Sequence, residues 1–240
     1  MVHIIVNELR TIDTQPPMRT LKNIAREISQ KYPKTFCDVD DDGAVLGDGS
    51  ANKAYATHRL FLNNIVSPPS VEDIISKYPV IFNKKAIYWH FKKLTDVDLH
   101  KISEVLKNKQ QNIISFGIKS KIIQYNELNT TNNDRLALEI IAKYFKDKIE
   151  HILYKFEEYN IEEIESSMMI LTPCVAEIAG RFIVFFEKKQ VVEVDNLIEA
   201  FELCFGLYFI LNTQYPKVIS GLLETIQCYF LKINTERSCS

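Results

Sequence analysis

The sequence predicts an α+β fold, mostly helical, with a small β-sheet packed on two helices in the C-terminal third. Three observations carry that expectation. Ser167 to Leu231 is strongly apolar, and within it Met168-Met169-Ile170-Leu171 and Phe182-Ile183-Val184-Phe185-Phe186 read as buried strands. Leu197 to Leu211 is apolar almost throughout, broken mainly by Glu199 and Glu202, so a helix there must be buried on most sides. Upstream, apolar residues recur at helical spacing rather than in alternation.

Taken in order, the chain falls into three regions. In residues 1–66, Leu21, Ile24, Ala25 and Ile28 form a helical stripe that Pro33 stops, because the residue before proline avoids the helical conformation. An acidic, glycine-punctuated segment follows, and a second helix is expected from Ser50 to about Asn64. Ser67-Pro68-Pro69 marks a boundary or a rigid linker. Residues 67–160 read as helical throughout. Ser70-x-x-Asp73 and Thr95-x-x-Asp98 resemble capping boxes. Helices are expected over Asn83–Leu94, from Val97 to about Tyr125, and from Asp134 to about Tyr159, with Asn129–Asn133 as a polar loop. Residues 161–240 turn to β structure. Short strands are expected near 167–172, 174–178, 181–186 and 191–194, with turns at Gly180-Arg181 and Lys188-Lys189. Asp195 then suits the N-cap of the apolar helix. Pro216 suits the first turn of a last helix reaching about Lys232, followed by a loose tail.

Lys31-Tyr32-Pro33-Lys34-Thr35-Phe36 and Lys77-Tyr78-Pro79-Val80-Ile81-Phe82 repeat one pattern. Proline ends a helix, while Tyr and Phe pack on either side of the bend. Two copies fall short of a repeat protein, which needs about three stacked units.

Composition excludes several function classes. With 29 Lys and Arg against 31 Asp and Glu, the net charge of −2 gives no global pull toward nucleic acid. The distribution is uneven, however. Residues 77–121 hold ten lysines against three acids, a local charge of +7 that marks a candidate binding face. Five cysteines, odd in number and widely spaced, with no Cys-x-x-Cys, read as reduced thiols. No apolar run approaches the roughly twenty residues of a membrane span, and His3–Val6 is too short for a signal h-region, so no signal peptide is expected. An intracellular protein, cytoplasmic or nuclear, is expected.

No motif announces chemistry. Asp38-x-Asp40-x-Asp42-Gly43 starts like a calcium loop, but the twelfth position is Gly49 instead of the bidentate Glu, so the segment reads as a solvated acidic turn. The five histidines show no zinc spacing and read as structural. Glu199 and Glu202 lie three apart on one side of the apolar helix. They would matter as an acid–base pair only beside a further polar group, and the sequence names none. There is no phosphate-binding glycine loop or nucleophile elbow. No catalytic residue, metal or cofactor is expected.

Three stretches together carry a resemblance. They are the helix through Lys31–Phe36 with Asp38, Gly47 and Gly49; Ile75–Phe82 through Phe91 and Leu94–Val97; and Thr172-Pro173-Cys174 with Val191–Val194, Cys204-Phe205, Asn212–Pro216 and Phe230. The chain resembles the animal family that includes sterile-alpha-motif-domain-containing protein 3-like proteins. The sterile alpha motif found in some members is not recognisable here, and the connector near Ser67 reads as shortened. The resemblance implies neither an enzymatic activity nor a cofactor.

The leading functional expectation is therefore a non-enzymatic protein–protein interaction module. Tyr88, Trp89, Lys92 and Lys93 are the candidate partner contacts, since aromatic and cationic anchors dominate interfaces. The runner-up is a nucleic-acid binder whose phosphate contacts would be Arg19, Lys22, Arg26, Lys31, Lys84 and Lys85. An enzyme comes third.

Overall fold

The computed structural model describes residues 48–64, 68–124, 132–158 and 160–233. The chain divides into two units, Met1–His58 and Arg59 onward. Of the first, only the opening of helix α1 (Asp48–Leu62) is described, and α1 crosses the boundary. The first copy of the Lys-Tyr-Pro pattern, most of the acidic segment and the connector at 65–67 lie outside the described residues. Asp48 and Gly49 stand in α1, two residues ahead of the expected start.

In the second unit, Ser70 opens α2 (Val71–Lys77) with a full capping box. Its hydroxyl accepts from the Asp73 N–H, and the Asp73 carboxylate accepts from the Ser70 N–H at 3.0 Å. Pro79 then starts a 3-10 turn over Pro79–Phe82, burying Tyr78, Ile81 and Phe82. The helix-stop reading of the second Lys-Tyr-Pro copy is thus met in the fold. Lys77 also lies over the Phe61 ring, 4.5 Å from its centre.

Asn83 caps α3 (Lys84–Thr95), and α4 follows over Lys101–Lys119. The expected capping box at Thr95 is not one. Thr95 is the last residue of α3, its hydroxyl donating to the Phe91 carbonyl, and His100 occupies the N-cap of α4. Helix α5 spans Asn133–Phe145. It does not continue to Tyr159 as expected. Lys146 takes the left-handed conformation (φ 63°), and Leu153–Phe156 is a strand, β1. The misreading has a physical cause: Ile149, Ile152 and Phe156 are spaced i, i+3, i+7, which serves a helix and a turn-plus-strand equally well.

After α6 (Ile161–Ser167) come β2 (Cys174–Ile178), β3 (Arg181–Phe186) and β4 (Lys189–Val194). The expected strand at 167–172 is absent, and Met169 and Leu171 there are 75% and 59% exposed. The sheet order is β1-β2-β3-β4, with β1 parallel to β2 and the other pairs antiparallel. Segments read as separate regions, 67–160 and 161–240, therefore contribute strands to a single sheet.

Both hairpins turn one residue earlier than the sequence suggested. Each has a two-residue loop with positive φ at both positions: Ala179-Gly180 (48°, 81°) and Glu187-Lys188 (49°, 64°). That geometry matches strand twist and favours Asn-Gly. Only Gly180 fits it without cost. Replacing Ala179 with Asn, which tolerates this conformation, is expected to raise stability by about 0.5–1 kcal/mol, read as a higher urea midpoint at unchanged slope. Glu187 holds its strained place for a reason. Its carboxylate accepts the Val71 N–H at 2.8 Å, tying the β3–β4 turn to the start of α2.

Asn196, not Asp195, caps α7 (Leu197–Ile210), its side chain accepting from the Ile198 and Glu199 N–H groups. Only Glu199 and Phe209 on this helix escape burial. One side of α7 packs on β2, β3 and β4, and the other on α3 and α4. Gly206 makes the second contact possible, because a Cβ there would sit 2.9 Å from a Leu99 methyl and 3.1 Å from an Ile87 methyl. The helix expected from Pro216 begins only at Ser220. It runs as α8 (Ser220–Thr225) and widens into a π turn over Ile226–Phe230. No helix among the described residues is long and apolar enough to cross a membrane.

Candidate functional site

Helix α4 presents two concave surfaces, one apolar and one polar. The apolar groove, about 360 Å³, lies between α4, α5 and the last helix. Ile113 and Phe116 form one wall, Ile140, Ile141, Tyr144 and Phe145 the second, and Phe230 closes it. Phe116, Tyr144 and Phe145 are half exposed, and their rings meet edge to face at 5.6 and 5.0 Å. Such a cluster of solvent-facing aromatics departs from the core logic that buries most of the other described aromatics, Tyr229 at 76% exposed being a further exception. Lys109, Asn112, Phe116 and Lys119 share a face of α4 by helical spacing, so an exposed lysine stands at either end of this wall. Lys146 is exposed beside Phe145, and Glu224 is exposed beside Thr225 on the last helix.

The polar cleft, about 560 Å³, opens where α3, α4 and α7 meet. Its lining includes Tyr88, His100, Ser103, Lys107, Glu199 and Glu202. Glu202 is 2% exposed and sits at its base. The carboxylate accepts from the Tyr88 hydroxyl at 2.7 Å and from the Ser103 N–H at 3.0 Å, and lies 3.2 Å from His100 Nδ1. The Ser103 contact supplies a cap that α4 lacks locally, since His100 gives no side-chain cap of its own. Burial first, then the hydrogen bond to Glu202 and the nearby carboxylates, raises the Tyr88 phenol well above its ordinary value, so it stays a donor. The Tyr88 and His100 rings stack 4.1 Å apart. Glu199 forms an ion pair with Lys84 at the rim.

Sequence reasoning marked Tyr88, Trp89, Lys92 and Lys93 as partner contacts, and all four lie on α3. Tyr88 is turned inward onto Glu202. Trp89 is partly buried, its ring edge-on to His90. Lys92 and Lys93 are exposed, Lys92 lying 3.6 Å from Asp98. Of the phosphate-contact candidates, Lys84 is paired with Glu199 and Lys85 is exposed on the same helix, while Arg19, Lys22, Arg26 and Lys31 lie outside the described residues. Glu202 does meet a further polar group the sequence could not name, His100, while Glu199 pairs with Lys84 instead. The groove aromatics were missed entirely. The available signal was that Tyr144 and Phe145 adjoin Lys143 and Lys146, and that Phe116 stands three residues before Lys119.

Cys174 and Cys204 are buried free thiols. Burial pushes Cys174 up to about 12 and Cys204 well above its ordinary value, so neither is a nucleophile. No group of acidic, histidine or cysteine side chains among the described residues could hold a metal ion. No protein-family model matches the chain, and neither curated proteins nor solved structures give a significant match.

Proposed function

We propose that the protein is a non-enzymatic docking module that receives an amphipathic helix with acidic flanks in the groove between α4, α5 and the last helix. The observation that carries this reading is the trio Phe116, Tyr144 and Phe145, half exposed around an apolar groove. An apolar helix face laid between two helices is a recurrent recognition mode. Lys109, Lys119 and Lys146 beside the groove supply the complement to acidic flanks. The free buried thiols Cys174 and Cys204 support an intracellular setting, cytoplasmic or nuclear, and kinship with the sterile-alpha-motif-domain-containing protein 3-like family belongs to the same proposal.

The test is titration of the full chain with a fluorescent amphipathic helical peptide carrying Glu on its flanks, and with its Lys-flanked counterpart. The acidic peptide is expected to bind, and Phe116→Ser or Tyr144→Ser to weaken it by about tenfold or more. Equal binding of both peptides, or indifference to either substitution, counts against the groove. The basic surface gives nucleic acid a second hearing in the same experiment. Binding to random-sequence duplex that falls by about a thousandfold between roughly 50 and 200 mM salt would replace the docking reading.

A further inference from the structure

The polar cleft is more elaborate than support for α4 requires. A carboxylate accepts hydrogen bonds and donates none, so in the neutral imidazole the His100 proton facing Glu202 is on Nδ1 and Nε2 is the acceptor. Nε2 has no hydrogen-bond partner among the described residues, and the His100 side chain is 62% exposed. Stacking on Tyr88 restrains ring rotation. The result is an imidazole fixed in tautomer and orientation by a buried acid, with its free nitrogen available to the cleft.

The remaining lining decides what fits. Glu199 is engaged by Lys84, and Asp134 accepts from Gln110 at 2.6 Å. Asn196 spends its side-chain oxygen capping α7, which leaves its amide protons. Lys107 is exposed on the rim. Three acids against Lys84 and Lys107 disfavour an anion. The Ser103 hydroxyl donates to the His100 carbonyl at 2.8 Å and not to the imidazole, so no serine nucleophile is set up. What is left is the His100 acceptor, the second carboxylate oxygens of Glu199 and Asp134, the Gln110 carbonyl, an amide donor and an ammonium donor around a space of about 560 Å³, within the usual range for small-molecule sites. Hydroxyl groups, each both donor and acceptor, satisfy such a set.

We infer that the cleft binds a small neutral polyol of monosaccharide size, with His100 Nε2 accepting a hydrogen bond from one of its hydroxyls. This site is separate from the docking groove and does not depend on it. The test uses the full chain labelled with nitrogen-15, titrated with myo-inositol, D-glucose and glucose 6-phosphate. Saturable shifts at the His100 ring and the Ser103 amide are expected at about millimolar myo-inositol or glucose. They should weaken at least tenfold in His100→Phe, which keeps the stack on Tyr88 and removes the acceptor, and persist in Phe116→Ser. Wild-type ring spectra should also place the proton on Nδ1, a readout that does not depend on any variant folding. No saturable shift, equal binding by His100→Phe, preference for the phosphorylated sugar, or a proton on Nε2 would each overturn the inference.

Discussion

Phe205→Ala is expected to cost about 3–5 kcal/mol, the largest loss from any single truncation proposed for this chain. Phe205 is fully buried at the middle of α7 and its ring contacts Phe91, Phe209 and Tyr215 at centre distances of 6.2, 5.4 and 6.2 Å. It is therefore shared between α3 and the segment after α7. Truncation leaves a cavity lined by large rings, which cannot collapse around a methyl without moving two helices. Because whole domains are held by only about 5–15 kcal/mol, such a loss takes a large share of the total. Urea unfolding followed by circular dichroism would read it, with Phe205→Leu expected to recover about half or more of the loss. A cost near 1 kcal/mol would mean that α7 is not the packing centre.

Arg135→Met is expected to cost about 2–4 kcal/mol by a different route. The Arg135 guanidinium donates to Glu139 at 3.0 Å, to Glu177 at 2.9 Å and to the Leu153 carbonyl at 3.3 Å. One cation on α5 thereby neutralises an acid on its own helix and another on β2, and also satisfies a carbonyl of edge strand β1. Its side chain is 17% exposed and its partners' 19% and 23%, so the figure is set below that of a fully buried pair. Removing the cation leaves two acids facing each other with little water. The double variant Arg135→Met with Glu177→Met should therefore be less damaged than Arg135→Met alone. A cycle showing simple additivity would demote the pair to a surface contact.

These two positions differ in how far the sequence disclosed them. Phe205 was legible, because a helix apolar on all sides can only be a centre, and α7 proved to be one. Arg135 was not, since nothing in a linear pattern says that its helix will end at Phe145 and the chain return as a parallel strand beside residues about twenty further on. The helix periodicity of Ile149, Ile152 and Phe156 concealed β1, and the apolar run Met168–Leu171 imitated a strand that the chain never forms. Local chemistry was more reliable where one residue type answers one backbone need, as at Ser70 and Pro79. It failed by a residue at both hairpins, where Ala179, Glu187 and Lys188 adopt a conformation that sequence preference assigns to Asn and Gly. The sites followed the same division. Glu199 and Glu202 stood out as charges in an apolar helix, but the value of Glu202 depended on His100, 102 residues away, and only the tertiary fold joins the two.

The central position of α7 also governs the order in which the protein can assemble during synthesis. The strands β2, β3 and β4 are joined by two-residue turns and can pair as soon as they are made. Helices α3 and α4 cannot complete their packing so early, because the helix that covers them is translated roughly a hundred residues after α3, about 5–20 s later at usual elongation rates. For that interval Ile87, Phe91, Leu99 and Ile102, all but fully buried in the finished protein, have no α7 to pack against. A nascent chain of this design is exposed to premature association on the ribosome, and the lysines that crowd α3 and α4 give that waiting segment a like-charged, mutually repelling surface.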